Sequence, residues 1–522
     1  MTRFFNTTGP CDPRWHYMLP PEQRLPQLMQ FVERQQYFVL HAARQTGKTT
    51  AMRAFAARLR GLGYLAIHTT FEECQGIESI EEAEPIWLTA LDRAAEGQLP
   101  AEQRPPPRAP MLVEAQGTRL HHWLAAWAEQ QTPRRVILLI DEADVVTGHA
   151  MVSLLRQLRA GFMDRPERFP SSVALIGMRD LRDYLTQAKD GVPVNPGSPF
   201  NIKAGSLTLR SFTEPETAAL YAQHTADTGQ VFLPDAVARA FYWSQGQPFL
   251  TNALAGIAVD ELVPDRAQAV SAAHIDEARD RLILSRTTHL DSLAERLKEP
   301  RVARVLASVL LSDVPQTINY ANDDFQYVVD LGLIRRGRDG AEAANPLYRE
   351  VLARQLSYNI QEGLRSPRWR WQTSTGGLDM PALVVEFLKW WRTNAAIVEQ
   401  HADRGYVEAV PHLAFMGFLQ RVVNGGGSVY REFAAGRGAI DILVEYARER
   451  HVVELKRVPP QHSSLDTVRQ DGIAQLCGYL DTVGCTEGWL LIFDQRVGRS
   501  WEERLWAEEL MVDGRSLHLR GG

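Results

Sequence analysis

Cysteine is sparse: Cys11, Cys74, Cys477 and Cys485 are scattered through 522 residues and form no CxxC pair. That spacing argues against a disulfide framework and offers no zinc-binding set. Long apolar runs are missing too. No stretch approaches the ~20 residues that span a bilayer, and the opening residues lack the apolar core of a secretory signal. A cytoplasmic location with no membrane partner is expected. Basic charge is not in excess either, since 57 Lys and Arg face 63 Asp and Glu for a net charge of −6. Nucleic acid would have to be met in a local groove rather than by a global field. Lysine is the scarcest cation. Only Lys48, Lys189, Lys203, Lys298, Lys389 and Lys456 occur, which leaves 57 − 6 = 51 arginines. A lysine placed where chemistry needs a compact cation therefore stands out.

What is present is ordinary globular material, 45% apolar and 23% charged, in a chain long enough for two to four domains. The first third alternates apolar runs with helical patterns, which predicts an α/β fold with a parallel sheet. Strands are expected at 37–41, 65–68, 136–140 and 173–176, and a helix at 49–59. The acidic, proline-rich stretch from Glu72 to about Pro110 reads as an irregular surface excursion. The pattern turns helical over 213–292, with a break at Gly246-Gln-Pro248. Residues 293–360 suit a winged helix, and 361–378 a linker. From 379 to 522 a long helix precedes a second helical segment, three strand-like runs, a helix near 473–480 and a further strand.

The segment Ala42, Ala43, Arg44, Gln45, Thr46, Gly47, Lys48, Thr49 and Thr50 lies between the first strand and the first helix. Successive backbone N–H groups and a helix N-terminus there suit phosphate oxygens. Lys48 would reach the β- and γ-phosphates and the Thr49 hydroxyl a Mg²⁺ ion. Ala42 stands where the motif has Gly. The apolar run Val136-Ile-Leu-Leu-Ile ends in Asp141 and Glu142, a carboxylate for the Mg²⁺ shell and one to polarise water. Arg179, after the next strand, would either sense the γ-phosphate or form a structural ion pair. These segments resemble the AAA-like and STAND-type P-loop ATPases. The resemblance implies ATP and Mg²⁺ as cofactors, and gives Gln247 and Pro248 a place beside the nucleotide in a helical lid. Read without it, Gly246-Gln-Pro248 is a helix-breaking turn. The run Asp324–Ile334 followed by Asn345-Pro-Leu-Tyr348 is similar to the winged helix that follows such modules. Its acidic Asp323, Asp324 and Asp330 favour packing over DNA binding.

Near the C-terminus, Asp441 opens a strand and Glu454-Leu-Lys456 follows thirteen positions later. Residues two apart on a strand share a face, so a hairpin would gather two carboxylates and a lysine. Metal-assisted phosphodiester hydrolysis needs such a set; the plain reading is a hairpin with surface charges. The pattern resembles the PD-(D/E)XK nuclease superfamily. That implies a restriction-endonuclease-like α/β domain, a metal site of Asp441, Glu454 and a helical Glu408 holding Mg²⁺ or Mn²⁺, and a QxxxY helix carrying Gln475 and Tyr479. The expectation is an ATP-hydrolysing protein regulating an attached nuclease that acts on DNA, with self-association possible in principle. The rival is a nucleotide-dependent switch or scaffold that binds nucleic acid or protein without cutting it. No helicase-type pattern supports a motor.

Overall fold

A computed structural model of the chain describes residues 3–108, 114–177, 203–284, 295–311, 322–352, 373–401, 414–419, 427–458 and 464–522, apart from positions 298, 338, 339, 374, 436, 437 and 497. The chain divides into two compact units. One comprises 1–289 with 326–333, and the other 290–325 with 334–522.

The first unit is built on a parallel five-stranded sheet in the order β2-β3-β4-β1-β5. Its strands are β1 (Tyr37–His41), β2 (Leu65–Thr70), β3 (Val136–Asp141), β4 (Ser172–Gly177) and β5 (Lys203–Thr208). Alternate side chains of each strand enter opposite layers. Tyr37 and Val39 pack with Ile67, Leu138 and Leu175 on one face, while Phe38 and Leu40 pack with Ala66, Leu139 and Ile176 on the other. Helices α1 (Leu28–Glu33) and α2 (Lys48–Gly61) cover the second face. Helices α3 (Ile80–Gln98), α4 (Arg119–Gln131) and α5 (Gly148–Ala160) cover the first.

Helix α3 corrects the expectation of an irregular excursion after Glu72. Ser79 caps it by accepting from Glu81 N. Ala83, Trp87, Leu88, Leu91 and Ala95 then form a stripe at helical spacing that is buried in the core. Pro85 sits within the helix, where it removes one i→i−4 hydrogen bond from a helix held in place by its buried stripe. Proline content concealed a regular apolar period. β5 was also not anticipated; it is an edge strand with polar positions, paired parallel to β1.

Four helices follow: α6 (Glu214–Thr228), α7 (Pro234–Ser244), α8 (Pro248–Ile257) and α9 (Ala272–Leu284). Thr213 and Glu216 form a capping box at the start of α6. The break at Gly246-Gln-Pro248 separates α7 from α8, with Pro248 at a first helical position where its missing donor costs nothing. Beyond them come α10 (Pro300–Leu311), α11 (Asp323–Asp330) and the short hairpin of β6 (Ile334–Arg336) with β7 (Ala341–Ala343).

The C-terminal part begins with α12 (Met380–His401). A six-stranded sheet follows, in the order β12-β13-β11-β10-β9-β8. Strands β8 (Ser428–Ala435), β9 (Gly438–Tyr446) and β10 (Glu449–Val458) are antiparallel neighbours. Helix α13 (Leu465–Val483) then leads to β11 (Glu487–Asp494), parallel to β10. β12 (Ala507–Val512) and β13 (Arg515–Gly521) complete the sheet. Val453, Leu455 and Leu491 face α12, while Val452, Val458 and Leu490 face α13. All four cysteines are free. Among the described residues no helix is long and apolar enough to cross a membrane.

Candidate functional site

The loop between β1 and α2 is built from its own backbone. Gln45 and Gly47 take positive φ, 58° and 86°, which turns successive N–H groups toward one concavity. No side chain caps α2, so its first N–H groups also face the loop. The Lys48 ammonium is 2.7 Å from Ala42 O and 3.0 Å from Ala43 O. Burial pulls its pKa down against the pull of Glu142 and Asp141. Thr46 Oγ1 donates to Ala43 O, Arg44 and Gln45 are exposed, and Thr50 Oγ1 accepts from Cys11 N. Such a cradle with one buried cation suits a polyphosphate.

β3 brings the acids to it. Thr49 Oγ1 donates to Asp141 Oδ2 at 2.6 Å, joining the two residues expected to share a Mg²⁺ ion. Burial would raise the Asp141 pKa, but hydrogen bonds from His68 and Thr49 hold it below the ordinary carboxylate value. Glu142 has φ 51°, a left-handed conformation that a non-glycine residue adopts only under constraint. Its pKa is raised by burial first and then by Asp144 and Asp141, which suits a base that must accept a proton. Gln247 Nε2 donates to Gln45 O at 3.3 Å, so the turn before α8 does reach the loop. Pro248 is buried beside it. Arg179 lies outside the described residues.

Four participants had escaped sequence reasoning. Arg24 is buried and donates to Thr46 O and Arg210 O, with its pKa pulled down to about 10 by burial and by Arg210. His68 on β2 places Nε2 3.4 Å from Asp141 Oδ2. Asp144 is buried three residues after Asp141. Gly332, in the turn after α11, approaches the loop so closely that a Cβ there would lie 2.3 Å from Ala43 Cβ. Asp144 and His68 carried a weak signal, as polar residues in or just after apolar strands. Arg24 and Gly332 carried none.

Residues 32–185 match the family model described as an AAA domain. This segment has the fold of an AAA-type P-loop ATPase domain. No curated protein matches the chain. Among solved structures, a Walker-type ATPase of Pyrococcus abyssi is 14% identical, with 67% of this chain and 99% of that one covered at a TM-score of 0.47. The ORC2 protein of Aeropyrum pernix is 12% identical over 65% and 92%, with a TM-score of 0.39. The RuvB Holliday junction branch migration motor of Thermotoga maritima is 12% identical over 62% and 90%, with a TM-score of 0.33. The AAA domain thus holds Lys48, Thr49, Asp141 and Glu142, while Gln247 and Gly332 reach its loop from outside the matched segment.

Well beyond the AAA domain, β9 and β10 present the second acidic set. Asp441 lies inside β9 rather than at its start, because the strand begins at Gly438. The β9–β10 register pairs Ile442 with Val453, and extending it by one residue sets Asp441 opposite Glu454 on the α13 face. Asp441 Oδ2 accepts from Leu455 N at 2.8 Å. Lys456 Nζ lies 2.7 Å from Glu454 Oε1, with the Glu454 side chain only 1% exposed. Helix α13 closes over this pair through Gly472, where a Cβ would stand 3.2 Å from Lys456 Cγ. The face of α13 turned to the sheet carries Gly472, Leu476 and Leu480. Tyr479 packs at the edge of that core, and Gln475 is exposed. Glu408 lies outside the described residues. Among the described residues, no group of three or more His, Cys, Asp or Glu side chains is placed to hold a metal ion.

Proposed function

We propose that the chain is an ATP-hydrolysing switch that controls an attached metal-dependent nuclease domain acting on DNA. The observation carrying the first half is the convergence of Lys48, Thr49, Asp141 and Glu142 at one loop. Lys48 and the loop N–H groups would bind phosphate oxygens, Thr49 and Asp141 would hold Mg²⁺, and Glu142 would take a proton from the attacking water. The donor set fits a Mg²⁺–nucleotide: a hydroxyl and a carboxylate already 2.6 Å apart, beside a buried ammonium.

The second half is supported by Asp441, Glu454 and Lys456 sharing one sheet face beneath α13. A helix, three antiparallel strands, a helix and a parallel strand occur in that order, which is compatible with a PD-(D/E)XK domain. Asp441 and Glu454 would hold a divalent ion that supplies a polarised water, and Lys456 would steady charge on the phosphate. The test is cleavage of plasmid, linear and single-stranded DNA by the full chain with Mg²⁺ or Mn²⁺, with and without ATP. Cleavage that needs a divalent ion and is lost in Asp441→Ala supports the reading. No cleavage of any substrate under any of these conditions rejects it.

One observation favours the second reading, a nucleotide-dependent switch or scaffold that binds without cutting. Asp441 is engaged by the Leu455 N–H and Glu454 by Lys456, so each carboxylate already has a donor within the protein. DNA binding without cleavage in the same experiment would establish it.

A further inference from the structure

Asp141 is held at both of its carboxylate oxygens. Its Oδ2 receives Thr49 Oγ1 at 2.6 Å and His68 Nε2 at 3.4 Å, and its Oδ1 receives Glu142 N at 3.0 Å. A carboxylate only accepts, so the shared proton belongs to His68 Nε2 and sets the imidazole tautomer. The placement follows from register. β2 pairs Thr70 with Asp141 and His68 with Leu139, and Ala66 and Leu139 share the α2 face. His68 therefore projects on the same face as Asp141, one diagonal step away.

β2 is also the edge of its sheet, and an edge strand is free to shift unless something holds it. Here Gln98, at the end of α3, grips the His68 peptide from both sides. Its Oε1 accepts from His68 N at 3.0 Å and its Nε2 donates to His68 O at 2.7 Å. Arg60 in turn donates to Gln98 Oε1 and to Ala66 O. The imidazole is thus anchored by a side-chain clamp on the strand that bears it, and that clamp serves no part of the loop itself.

We propose that His68 is a positioning residue for the Mg²⁺–nucleotide site, orienting the Asp141 carboxylate so that it meets the ion together with Thr49. This rests on the reading of the AAA domain as an ATPase. Metal-ligating groups depend on partners of this kind, and loss of such a partner commonly weakens metal binding tenfold or more. His68 touches neither nucleotide nor ion in this assignment. It acts through Asp141 alone, so its removal should alter the Mg²⁺ requirement and leave Mg²⁺-free nucleotide binding as it was.

The test is a titration of Mg²⁺ into the full chain with a fluorescent ATP analogue, read by anisotropy, beside the same binding in EDTA. His68→Leu keeps apolar volume and should raise the Mg²⁺ half-point about tenfold with EDTA binding unchanged. His68→Gln retains an amide donor and should recover most of that loss. An unchanged half-point in His68→Leu overturns the proposal, as does a His68→Gln protein as impaired as His68→Leu. Should His68→Leu fail to fold, Gln98→Ala carries the test. A raised half-point supports the clamp and an unchanged one overturns it. If instead the wild-type protein binds the analogue neither with nor without Mg²⁺, the ATPase reading itself has failed, an outcome visible before any variant is made.

Discussion

Lys48 is one of six lysines among 57 basic residues, and its surroundings explain the choice. A compact ammonium fits between Ala42 O and Ala43 O, where a planar guanidinium would not. Lys48→Ala should abolish ATP binding, because it removes the ammonium that meets the phosphates, while the buried Arg24 is committed to Thr46 O and Arg210 O. Glu142→Gln should keep binding and lose hydrolysis by a hundredfold or more. Equilibrium binding of a labelled nucleotide and phosphate release separate the two effects, and wild-type turnover in Lys48→Ala would defeat the assignment. Glu216 offers a pH test at the same scale. Hydrogen bonds from Arg210 first, opposed by burial, and then from the Thr213 backbone hold its pKa at about 2. A depressed acid stabilises the fold fully above its ordinary value of 4.5, and that contribution fades as pH falls toward about 2. Glu216→Gln should therefore cost about 1–2 kcal/mol at pH 7 and progressively less below pH ~4. Melting curves of both proteins from pH 7 to 3 would show the difference shrinking; a gap that stays constant or widens on acidification would contradict it.

At the scale of elements, α3 shows how composition can mislead where periodicity does not. The prolines and acids of the stretch from Glu72 to about Pro110 suggest an excursion, yet Trp87, Leu88 and Leu91 are buried. Glu84, on the same helix, is 1% exposed. Its carboxylate accepts from Gly117 N, Arg119 N and Gln157 Nε2. It thereby satisfies N–H groups at the start of α4 that no local cap serves. Glu84→Ala would strand these donors inside the core and should cost about 2–4 kcal/mol, measured by urea unfolding. A loss below 0.5 kcal/mol, on the order of an ordinary surface change, would mean the carboxylate is not needed there. The sequence made the strands readable because their apolar runs are continuous in a sheet covered on both faces. It did not reveal β5, whose Lys203-Ala-Gly-Ser run takes its strand character from pairing with β1.

For the whole molecule, one chain carries the P-loop site in the first unit and the Asp441, Glu454 and Lys456 set in the second. If the ATP state governs cleavage, nucleotide must favour one arrangement over another. A hundredfold shift then requires about 2.7 kcal/mol of differential affinity. Glu142→Gln with ATP should hold nuclease activity at one extreme, and Lys48→Ala should hold it at the other. Gel assays of DNA cleavage by both variants, with and without ATP, decide the matter. Equal cutting by both at the wild-type rate would mean that the two sites are only tethered.

The sequence by itself determined the local chemistry: the loop from Ala42 to Thr50, the acids closing the Val136–Ile140 run, and the spacing of Asp441, Glu454 and Lys456. These were legible because motif and strand period act over a few neighbouring residues. Only the tertiary structure decided which distant groups complete the nucleotide site. His68 meets Asp141 across 73 positions, and Arg24 meets Thr46 across 22. Each contact depends on strand order, on which face a residue occupies and on which edge another element covers. No local pattern encodes those relations, because they arise only when the sheet has assembled.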